Sequence, residues 1–246
     1  MRGIALCTYN RSYNLPKVLE NLMKYLPDDC KVVVCDDGST DDTMEILKPY
    51  RSDLLIVAGS NQGVAANKNR ALYALQECAF ICILEDDLYP TRPGWFELYE
   101  DATQATNIHH FCRVQDKEVE ETVPEFSTWM KSIGITPVYG PSPRGDFTFI
   151  TAKVLEKVGA FNPKFKGAGY AHGEWSERVF KAGLIPHPLK WIDLQESRDT
   201  LLQIGDTEGG RWLEDQKTIK AQLRRNARVL KSLRKSDYLH HPLNLV

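Results

Sequence analysis

The sequence predicts an α/β protein whose mostly parallel central sheet is flanked by helices and followed by a basic helical extension. Three observations support this fold class. Short apolar runs alternate with helix-length segments through the first ninety residues, which is the pattern of βαβ units. These runs are apolar on both faces, as expected for strands buried between helical layers. The length of 246 residues fits one large domain with a short appendage.

Seven elements are predicted in the first ninety residues. Residues 15–25 place apolar side chains at helical spacing. Thr40 or Asp41 can cap a helix that ends near residue 48, and residues 61–77 form the next predicted helix. Short apolar runs predict strands at residues 4–8, 31–35, 54–58 and 80–84.

The pattern is looser after residue 90. Residues 115–125 are strongly acidic and predict a solvated loop, and three prolines precede a strand predicted at residues 147–151. A glycine-rich stretch at residues 167–173 leads into the next helix. Helices are predicted at residues 95–103, 152–158, 174–182 and 216–233. The last of these is basic and has only a thin apolar stripe.

Charge is unevenly distributed along the chain. The net charge is −2, but nine basic and three acidic residues follow position 210, so this segment carries +6 and residues 1–210 carry −8. An acidic body is not expected of a nucleic-acid-binding protein. The basic segment, in contrast, can make peripheral contact with an anionic surface.

Several features bear on cellular location. The longest apolar run, residues 78–84, is far shorter than the roughly 18 residues of a membrane span, so no transmembrane segment is expected. The first apolar stretch is too short for a secretory signal. The six cysteines lie mostly in apolar runs and lack the paired spacing of a zinc site. We interpret them as buried thiols and expect a cytoplasmic protein.

Polar clusters follow three of the predicted strands, at residues 7–11, 35–40 and 84–88. If the strands are parallel, these clusters meet at one sheet edge, where open α/β sheets bind ligands. The Asp-Asp-Gly-Ser run at 36–39 is also ordinary turn and cap chemistry. The three acids at 85–87 repel one another unless a cation or hydrogen-bond donors relieve them. Carboxylates combined with substrate phosphates are typical ligands of Mg²⁺ and Mn²⁺.

Four segments taken together resemble a known family. They are Thr-Tyr-Asn-Arg at 8–11, Val-Cys-Asp-Asp-Gly-Ser-Thr-Asp-Asp-Thr at 34–43, Asn-Gln-Gly-Val-Ala-Ala-Asn-Lys-Asn-Arg at 61–70 and Glu-Asp-Asp at 85–87. In order and spacing they resemble the family 2-like glycosyltransferases with the GT-A fold, over about residues 1–185. We therefore expect a GT-A domain at 1–210, with a nucleotide-sugar half at 1–90 and an acceptor half at 91–210. The basic extension is then 211–246.

The resemblance implies a donor site. Tyr9, with Cys7 or Thr8, would line the nucleobase pocket, and Asp37 would accept a hydrogen bond from the base, which favours uracil. The residues implied in donor binding are Thr8, Tyr9, Arg11, Asp37, Asn61, Lys68, Arg70 and Asp86.

The resemblance also assigns the diphosphate and metal contacts. Lys68 or Arg70 would lie near the diphosphate, although a solvated helix face is the alternative for both. Asp86 would touch the ribose. Asp87 would be the direct protein ligand of a divalent cation, Mn²⁺ or Mg²⁺.

An inverting transferase needs a carboxylate that deprotonates the attacking hydroxyl. Relatives carry this base in an acidic pair at the start of a helix that continues as Arg…Gly. Here Ala171-His172 stands where relatives have Glu-Asp or Glu-His. We predict that Glu174 is the base, with Asp146 as the alternative.

Acceptor contacts are also predicted near this helix. Tyr170 and Trp175 could stack on an acceptor sugar, with ordinary packing as the alternative. His172 could contact the metal or the diphosphate from the acceptor side, or be a polar loop histidine. His187, between two prolines, is a candidate metal or phosphate ligand.

The sequence therefore predicts a metal-dependent, inverting, non-processive glycosyltransferase. Its donor would be a nucleoside diphosphate sugar, UDP-linked, and its acceptor a saccharide, a lipid-linked glycan, a protein or a modified nucleobase. A catalytically inactive sugar-nucleotide-binding module and a nucleotidyltransferase are the alternatives. The first is suggested by the irregular 171–174 region. Against the second, residues 7–12 lack the glycine-rich loop that holds a triphosphate.

Overall fold

Within residues 1–114, 124–140, 142–186, 191–204, 216–236 and 238–243, which the computed structural model describes, ten strands are present. They are β1 Arg2–Thr8, β2 Cys30–Asp36, β3 Leu55–Ala58, β4 Phe80–Glu85, β5 Leu88–Pro90, β6 His110–Val114, β7 Pro137–Tyr139, β8 Pro143–Thr151, β9 Ile192–Leu194 and β10 Leu201–Gln203. The central sheet has the order β3-β2-β1-β4-β8-β6. Its first four strands are parallel, and β8 runs antiparallel to β4 and β6. The predicted mostly parallel sheet is confirmed.

Helices flank this sheet. They are α1 Leu15–Lys24, α2 Thr43–Leu47, α3 Val64–Ala74, α4 Glu97–Thr106, α5 Pro124–Ser132, α6 Ala152–Lys157, α7 Ala171–Lys181, α8 Gln195–Thr200 and α9 Gln216–Leu233. A single 3₁₀ turn follows α2 at Lys48–Tyr50. Two small antiparallel sheets, β5 with β10 and β7 with β9, join the last part of the domain to the rest.

The inner strands β1, β2 and β4 of the central sheet are largely buried because they are apolar on both faces, whereas the edge strand β3 is partly exposed. Every residue of β1 from Gly3 to Thr8 is buried. The side of α1 that carries the predicted spacing, Leu15, Val18, Leu19 and Leu22, is fully buried. Each such side chain contributes about 1.5–3 kcal/mol on burial. The six cysteines are free thiols, five of them buried, as predicted.

The second half of the chain differs most from the prediction. The helix predicted at 174–182 begins at Ala171, so His172 lies in a helical turn and not in a loop. Strands β5, β7, β9 and β10 are absent from the prediction because three residues are too few to show a period. Of the acidic loop predicted at 115–125, residues 115–123 lie outside the described residues, and residues 124–125 begin α5.

Candidate functional site

The polar clusters that follow β1, β2 and β4 meet at one edge of the sheet. Cys7 is in register with both Cys35 and Glu85, so the three strands end at the same level. The backbone N–H of Tyr9 donates to Asp86 Oδ2 at 3.1 Å. The N–H of Asp37 donates to the carbonyl oxygen of Thr8 at 3.0 Å. The predicted convergence of the clusters is confirmed.

Asp86 lies at the centre of this edge. It is buried, and Arg11 Nε is 3.8 Å from Asp86 Oδ1. Burial raises the pKa of Asp86 to about 7. Thr8 is buried beside it, and its Oγ1 has no hydrogen-bond partner among the described residues. A ligand hydroxyl that reached Thr8 Oγ1 would supply its missing partner.

Asp37 is engaged within the protein. Its carboxylate accepts hydrogen bonds from the N–H groups of Gln62 (3.1 Å) and Gly63 (2.8 Å) and from Arg70 Nη1 (2.8 Å). Asp37 and Arg70 are both buried. The structure therefore gives Arg70 the carboxylate of Asp37 as its partner, and neither Arg70 nor the exposed Asn61 lines the cleft described below.

Lys68 makes a buried network with Glu85 and His172. The side chain of Lys68 is fully buried, and its Nζ lies 2.8 Å from Glu85 Oε1 and 2.7 Å from His172 Nε2. It also donates to the carbonyl oxygen of Gly145. Because an ammonium group has only donors, His172 Nε2 accepts and the imidazole proton is on Nδ1. Burial and the positive charge of Lys68 hold the pKa of His172 well below its usual range, so His172 is neutral at pH 7.

A cleft of about 930 Å³ opens beside this network. Among its lining residues are Arg11, Glu85, Asp87, Arg144, Asp146, Tyr170, His172, Trp191 and Gln203. The cleft thus collects four carboxylates, from β4, the turn after it, β8 and α7, the last being Glu177. Its other wall contains Leu223, Leu230 and Arg234, which belong to the basic segment of the sequence.

Two carboxylates that line the cleft each have one oxygen without a partner among the described residues. Asp87 Oδ1 and Asp146 Oδ1 are both buried and have no hydrogen-bond partner among the described residues. The second oxygen of Asp87 accepts from Gln203 Nε2 at 3.1 Å, and Asp146 Oδ2 pairs with Arg144 Nη2 at 2.9 Å. Burial raises the pKa of Asp87.

Over the described parts of the chain, no three His, Cys, Asp or Glu side chains are grouped so that they could hold a metal ion by themselves. A cation in this cleft would therefore need ligands from a substrate. That is the usual arrangement for Mg²⁺ bound with phosphates.

Glu174, the residue predicted to be the base, is not placed in the cleft. It is buried and forms a two-pronged pair with Arg178, with Oε1 2.8 Å from Nε and Oε2 3.1 Å from Nη2. Arg178 also donates to the carbonyl oxygens of Val158 and Ala160. Glu174 therefore belongs to a buried structural network that fastens α7 to the turn after α6.

Trp175 lies in the interior and does not line the cleft. It is buried, its ring stacks on Phe161 at 4.4 Å between centroids, and its Nε1 donates to the carbonyl oxygen of Gly159 at 2.9 Å. The packing alternative therefore describes Trp175.

Tyr170, in contrast, is 42% exposed and lines the cleft. His187 lies outside the described residues.

The loop at residues 166–170 forms part of the cleft wall and is held by α9. The fully buried Asn226 donates through Nδ2 to the carbonyl oxygens of Lys166 (3.1 Å), Ala168 (2.9 Å) and Gly169 (3.2 Å). Gly169 has a positive φ, and a side chain there would collide with Leu223. The glycine-rich stretch in the sequence is thus explained by the close approach of α9.

Sequence reasoning missed several residues that contact the carboxylates of the cleft. Gln203 reaches Asp87 from β10, and Arg113 and Arg144 flank Asp146. The sequence could not indicate Gln203 or Arg113, because each contacts a carboxylate more than 30 positions away. Arg144 lies two positions before the predicted Asp146, so its proximity was visible in the sequence.

Comparisons with known proteins bear on the family and the fold. Residues 4–154 match the profile of the family described as Glycosyl transferase family 2. A glycosyltransferase of Acanthamoeba polyphaga mimivirus, described as uncharacterized, is 24% identical over 75% of this chain and 75% of its own length. The Escherichia coli enzyme WfaP, named UDP-Glc:alpha-D-GlcNAc-diphosphoundecaprenol beta-1,3-glucosyltransferase, is 26% identical over 66% of this chain and 63% of its own length.

Solved structures share the fold. TarS from S. aureus, in complex with UDP, has a TM-score of 0.53 and 18% identity, covering 74% of this chain and 55% of its own. The mannosyltransferase PcManGT from Pyrobaculum calidifontis, in complex with GDP-Man and Mn²⁺, has a TM-score of 0.52 and 18% identity, covering 72% of this chain and 51% of its own. The chain thus spans about half the length of these proteins. The α/β fold predicted from the sequence is confirmed.

Among the described segments, none of the helices combines the length and the apolar character that crossing a bilayer demands.

Proposed function

Since this chain belongs to glycosyl transferase family 2, we propose that it transfers a sugar from a nucleoside diphosphate sugar to an acceptor hydroxyl, with inversion at the anomeric carbon. The observation that carries this proposal is the cleft at the carboxyl ends of β1 and β4, where Asp87 Oδ1 and Asp146 Oδ1 are both buried and unsatisfied within the described residues. Such a transferase needs one carboxylate to bind a cation and a second to accept the proton of the acceptor hydroxyl, and Asp87 and Asp146 would supply these two groups.

The donor nucleotide would lie along the edge formed by the ends of β1 and β2. Tyr9 and Thr8 would border the base and Asp86 would accept from a ribose hydroxyl. Arg11 and the Nδ1–H of His172 would donate to the diphosphate, because both line the cleft. Arg70 would act indirectly, by orienting Asp37 and the 62–63 loop.

We favour UDP as the leaving group. WfaP is named for UDP-Glc and the TarS structure contains UDP. The PcManGT structure with GDP-Man indicates that the fold also accepts a purine. Asp37 is engaged with Arg70. Either other groups of the pocket would therefore recognise the nucleobase, or Asp37 would first exchange Arg70 for the nucleobase.

A divalent cation, Mn²⁺ or Mg²⁺, fits Asp87, whose buried Oδ1 lacks a partner among the described residues. When bound, such an ion would stabilise the charge that develops on the diphosphate leaving group. Gln203 would hold the other oxygen of Asp87 and so fix the orientation of the carboxylate.

Asp146 is the better candidate for the base. Asp146 lines the cleft, and its Oδ2 is anchored by Arg144 and Arg113 while its buried Oδ1 has no partner among the described residues. His172 is less suited, because its Nε2 lone pair already accepts from Lys68. Deprotonation of the acceptor hydroxyl by Asp146 would let the oxygen attack the anomeric carbon as the C–O bond to the diphosphate breaks.

The acceptor half would comprise residues 91–210, with Tyr170 at the mouth of the cleft. We propose a cytoplasmic protein in peripheral contact with an anionic surface through the segment 211–246, and a single sugar transferred per encounter.

The test is a donor screen by thermal unfolding, with UDP-, GDP- and TDP-sugars in the presence and absence of Mn²⁺. A ligand that binds only the native state raises the stability of that state. A cation-dependent rise in unfolding temperature with one nucleotide therefore identifies the nucleobase of the donor. Release of that nucleotide on addition of an acceptor mixture supports transfer. Failure of every nucleotide sugar to shift the unfolding temperature would contradict the proposal and favour the inactive alternative.

A further inference from the structure

The outer side of α9 carries a row of basic side chains. Lys217, Lys220, Arg224, Arg228 and Lys231 follow one another at spacings of three and four residues. They therefore lie within an arc of about 80° and extend over about 21 Å of the helix. All five are exposed, and α9 contains no acidic residue. We call these five residues the basic stripe.

The opposite side of α9 is fixed to the domain. Asn226 and Leu230 are buried, and Gln222 Oε1 accepts from the N–H of Ala168 at 2.7 Å. Together with the three bonds from Asn226, this contact holds α9 against the 166–170 loop. The basic stripe therefore has a defined position next to the cleft, whereas a flexible tail would not.

Exposed apolar side chains border the cleft near the stripe. Val64, Tyr170 and Leu223 all line the cleft and are 37%, 42% and 36% exposed. Leu223 is on α9 itself, between the stripe and the cleft. A row of cations beside an apolar rim matches a membrane surface, where anionic headgroups lie above acyl chains.

A nucleic acid matches this surface less well. Single strands bind through aromatic side chains on which bases stack, and α9 contains no aromatic residue. A duplex would engage the cations through phosphates alone, which would leave Leu223 and Val64 without a role.

We propose that the basic stripe docks the protein peripherally on a bilayer that contains anionic phospholipid, with the mouth of the cleft turned towards the membrane surface. The charged face and the few apolar residues on α9 restrict it to the headgroup region. Docking itself does not depend on the proposed transferase activity. The proposed orientation of the cleft does rest on the transferase activity, since this orientation would present a bilayer-anchored acceptor to Asp146.

The experiment measures co-sedimentation of the full chain with vesicles of phosphatidylcholine alone or with one third phosphatidylglycerol, at low and at high salt. The stripe variant is Lys220→Glu/Arg224→Glu/Arg228→Glu. The matched control is Arg51→Glu/Arg92→Glu/Lys164→Glu, which changes two Arg and one Lys at exposed positions elsewhere and has the same net charge. Far-UV circular dichroism and thermal unfolding check that both variants fold.

The expected result is binding only to the anionic vesicles, weakening as salt rises. The stripe variant should bind at least about 100-fold less, from about 1 kcal/mol for each cation near such a surface, while the control changes less than about threefold. Equal losses in the two variants, binding that ignores salt, or binding to duplex DNA without binding to vesicles would each overturn the proposal. The donor screen on the wild-type chain separates the two ideas: a nucleotide-dependent shift in a wild-type chain that does not bind the anionic vesicles contradicts docking alone. Vesicle binding without any nucleotide-dependent shift contradicts the transferase alone.

Discussion

Lys68 and His172 are 104 positions apart in the chain, yet Nζ of the first lies 2.7 Å from Nε2 of the second. Glu85 neutralises the lysine from the other side at 2.8 Å. These three interacting side chains link α3, the end of β4 and the first turn of α7. It fixes the tautomer of His172 and presents its Nδ1–H as a donor.

The first prediction concerns this contact. Lys68→Met should raise the pKa of His172 towards its ordinary value, because the nearby positive charge is removed and Nε2 regains a free lone pair. The burial that also depresses this pKa stays, so the rise should be partial. An NMR titration of the His172 Cε1–H resonance measures it. Lys153→Met, beside His109, is the control; it should leave His172 unchanged, and an unaltered pKa in Lys68→Met would contradict the network.

A second prediction follows from the neutral state of His172. A histidine whose pKa is lowered by folding binds fewer protons in the native than in the unfolded chain, so its contribution to stability is present above about pH 6.5 and is lost as pH falls. His172→Gln keeps an acceptor for Lys68 but does not titrate. The wild-type chain should therefore lose up to about 1.4 kcal/mol per pH unit more than His172→Gln between pH 6.5 and 5. Urea unfolding at several pH values measures the difference, and parallel curves would refute the assignment.

The third prediction separates the two base candidates. Asp146→Asn should lower kcat by about 10²–10⁴-fold, the range of a general-base contribution, with nucleotide binding retained. Steady-state transfer and nucleotide titration measure the two quantities. The control is Asp101→Asn, an exposed acid on α4. Near-normal turnover of Asp146→Asn would exclude it as the base.

The fourth prediction concerns Glu174. Glu174→Ala should lower the free energy of unfolding by about 3–5 kcal/mol, since it leaves the buried Arg178 without its carboxylate. Turnover per folded molecule should stay within a few-fold of wild type, because Glu174 does not line the cleft. Chemical denaturation and kinetics well below the unfolding temperature measure both. A stable but inactive Glu174→Gln would instead restore Glu174 as the base.

The fifth prediction addresses the cation. In Asp87→Asn, Mn²⁺ should no longer increase the stabilisation that the nucleotide gives, because one neutral amide oxygen replaces the carboxylate ligand. Thermal unfolding with nucleotide, with and without Mn²⁺, measures this without any turnover. Gln203→Ala leaves the carboxylate in place but removes the group that orients it, so the affinity for Mn²⁺ should fall by about 10–100-fold. A full cation effect in Asp87→Asn would place the ion elsewhere.

The sequence alone determined the parallel half of the fold and the edge where the site lies. Residues 4–8, 31–35 and 80–84 are short, apolar on both faces and followed by polar clusters, and the structure places them as adjacent parallel strands that end at one level. Local pattern sufficed because burial on both faces leaves a clear signature in each strand, and parallel pairing then requires the clusters to meet.

Tertiary structure decided which side chains reach the cleft. Glu174 and His172 are two positions apart at the start of α7, a spacing that places them on different sides of the helix, so one pairs with Arg178 in the interior and the other lines the cleft. Arg70 and Lys68 diverge on α3 in the same way, towards Asp37 and towards Glu85. Which side of a helix faces the interior depends on the elements packed against it, and these come from elsewhere in the chain: Lys68 meets Glu85 from 17 positions away and His172 from 104 positions away. Local sequence specifies the helix; only packing specifies its rotation about its own axis.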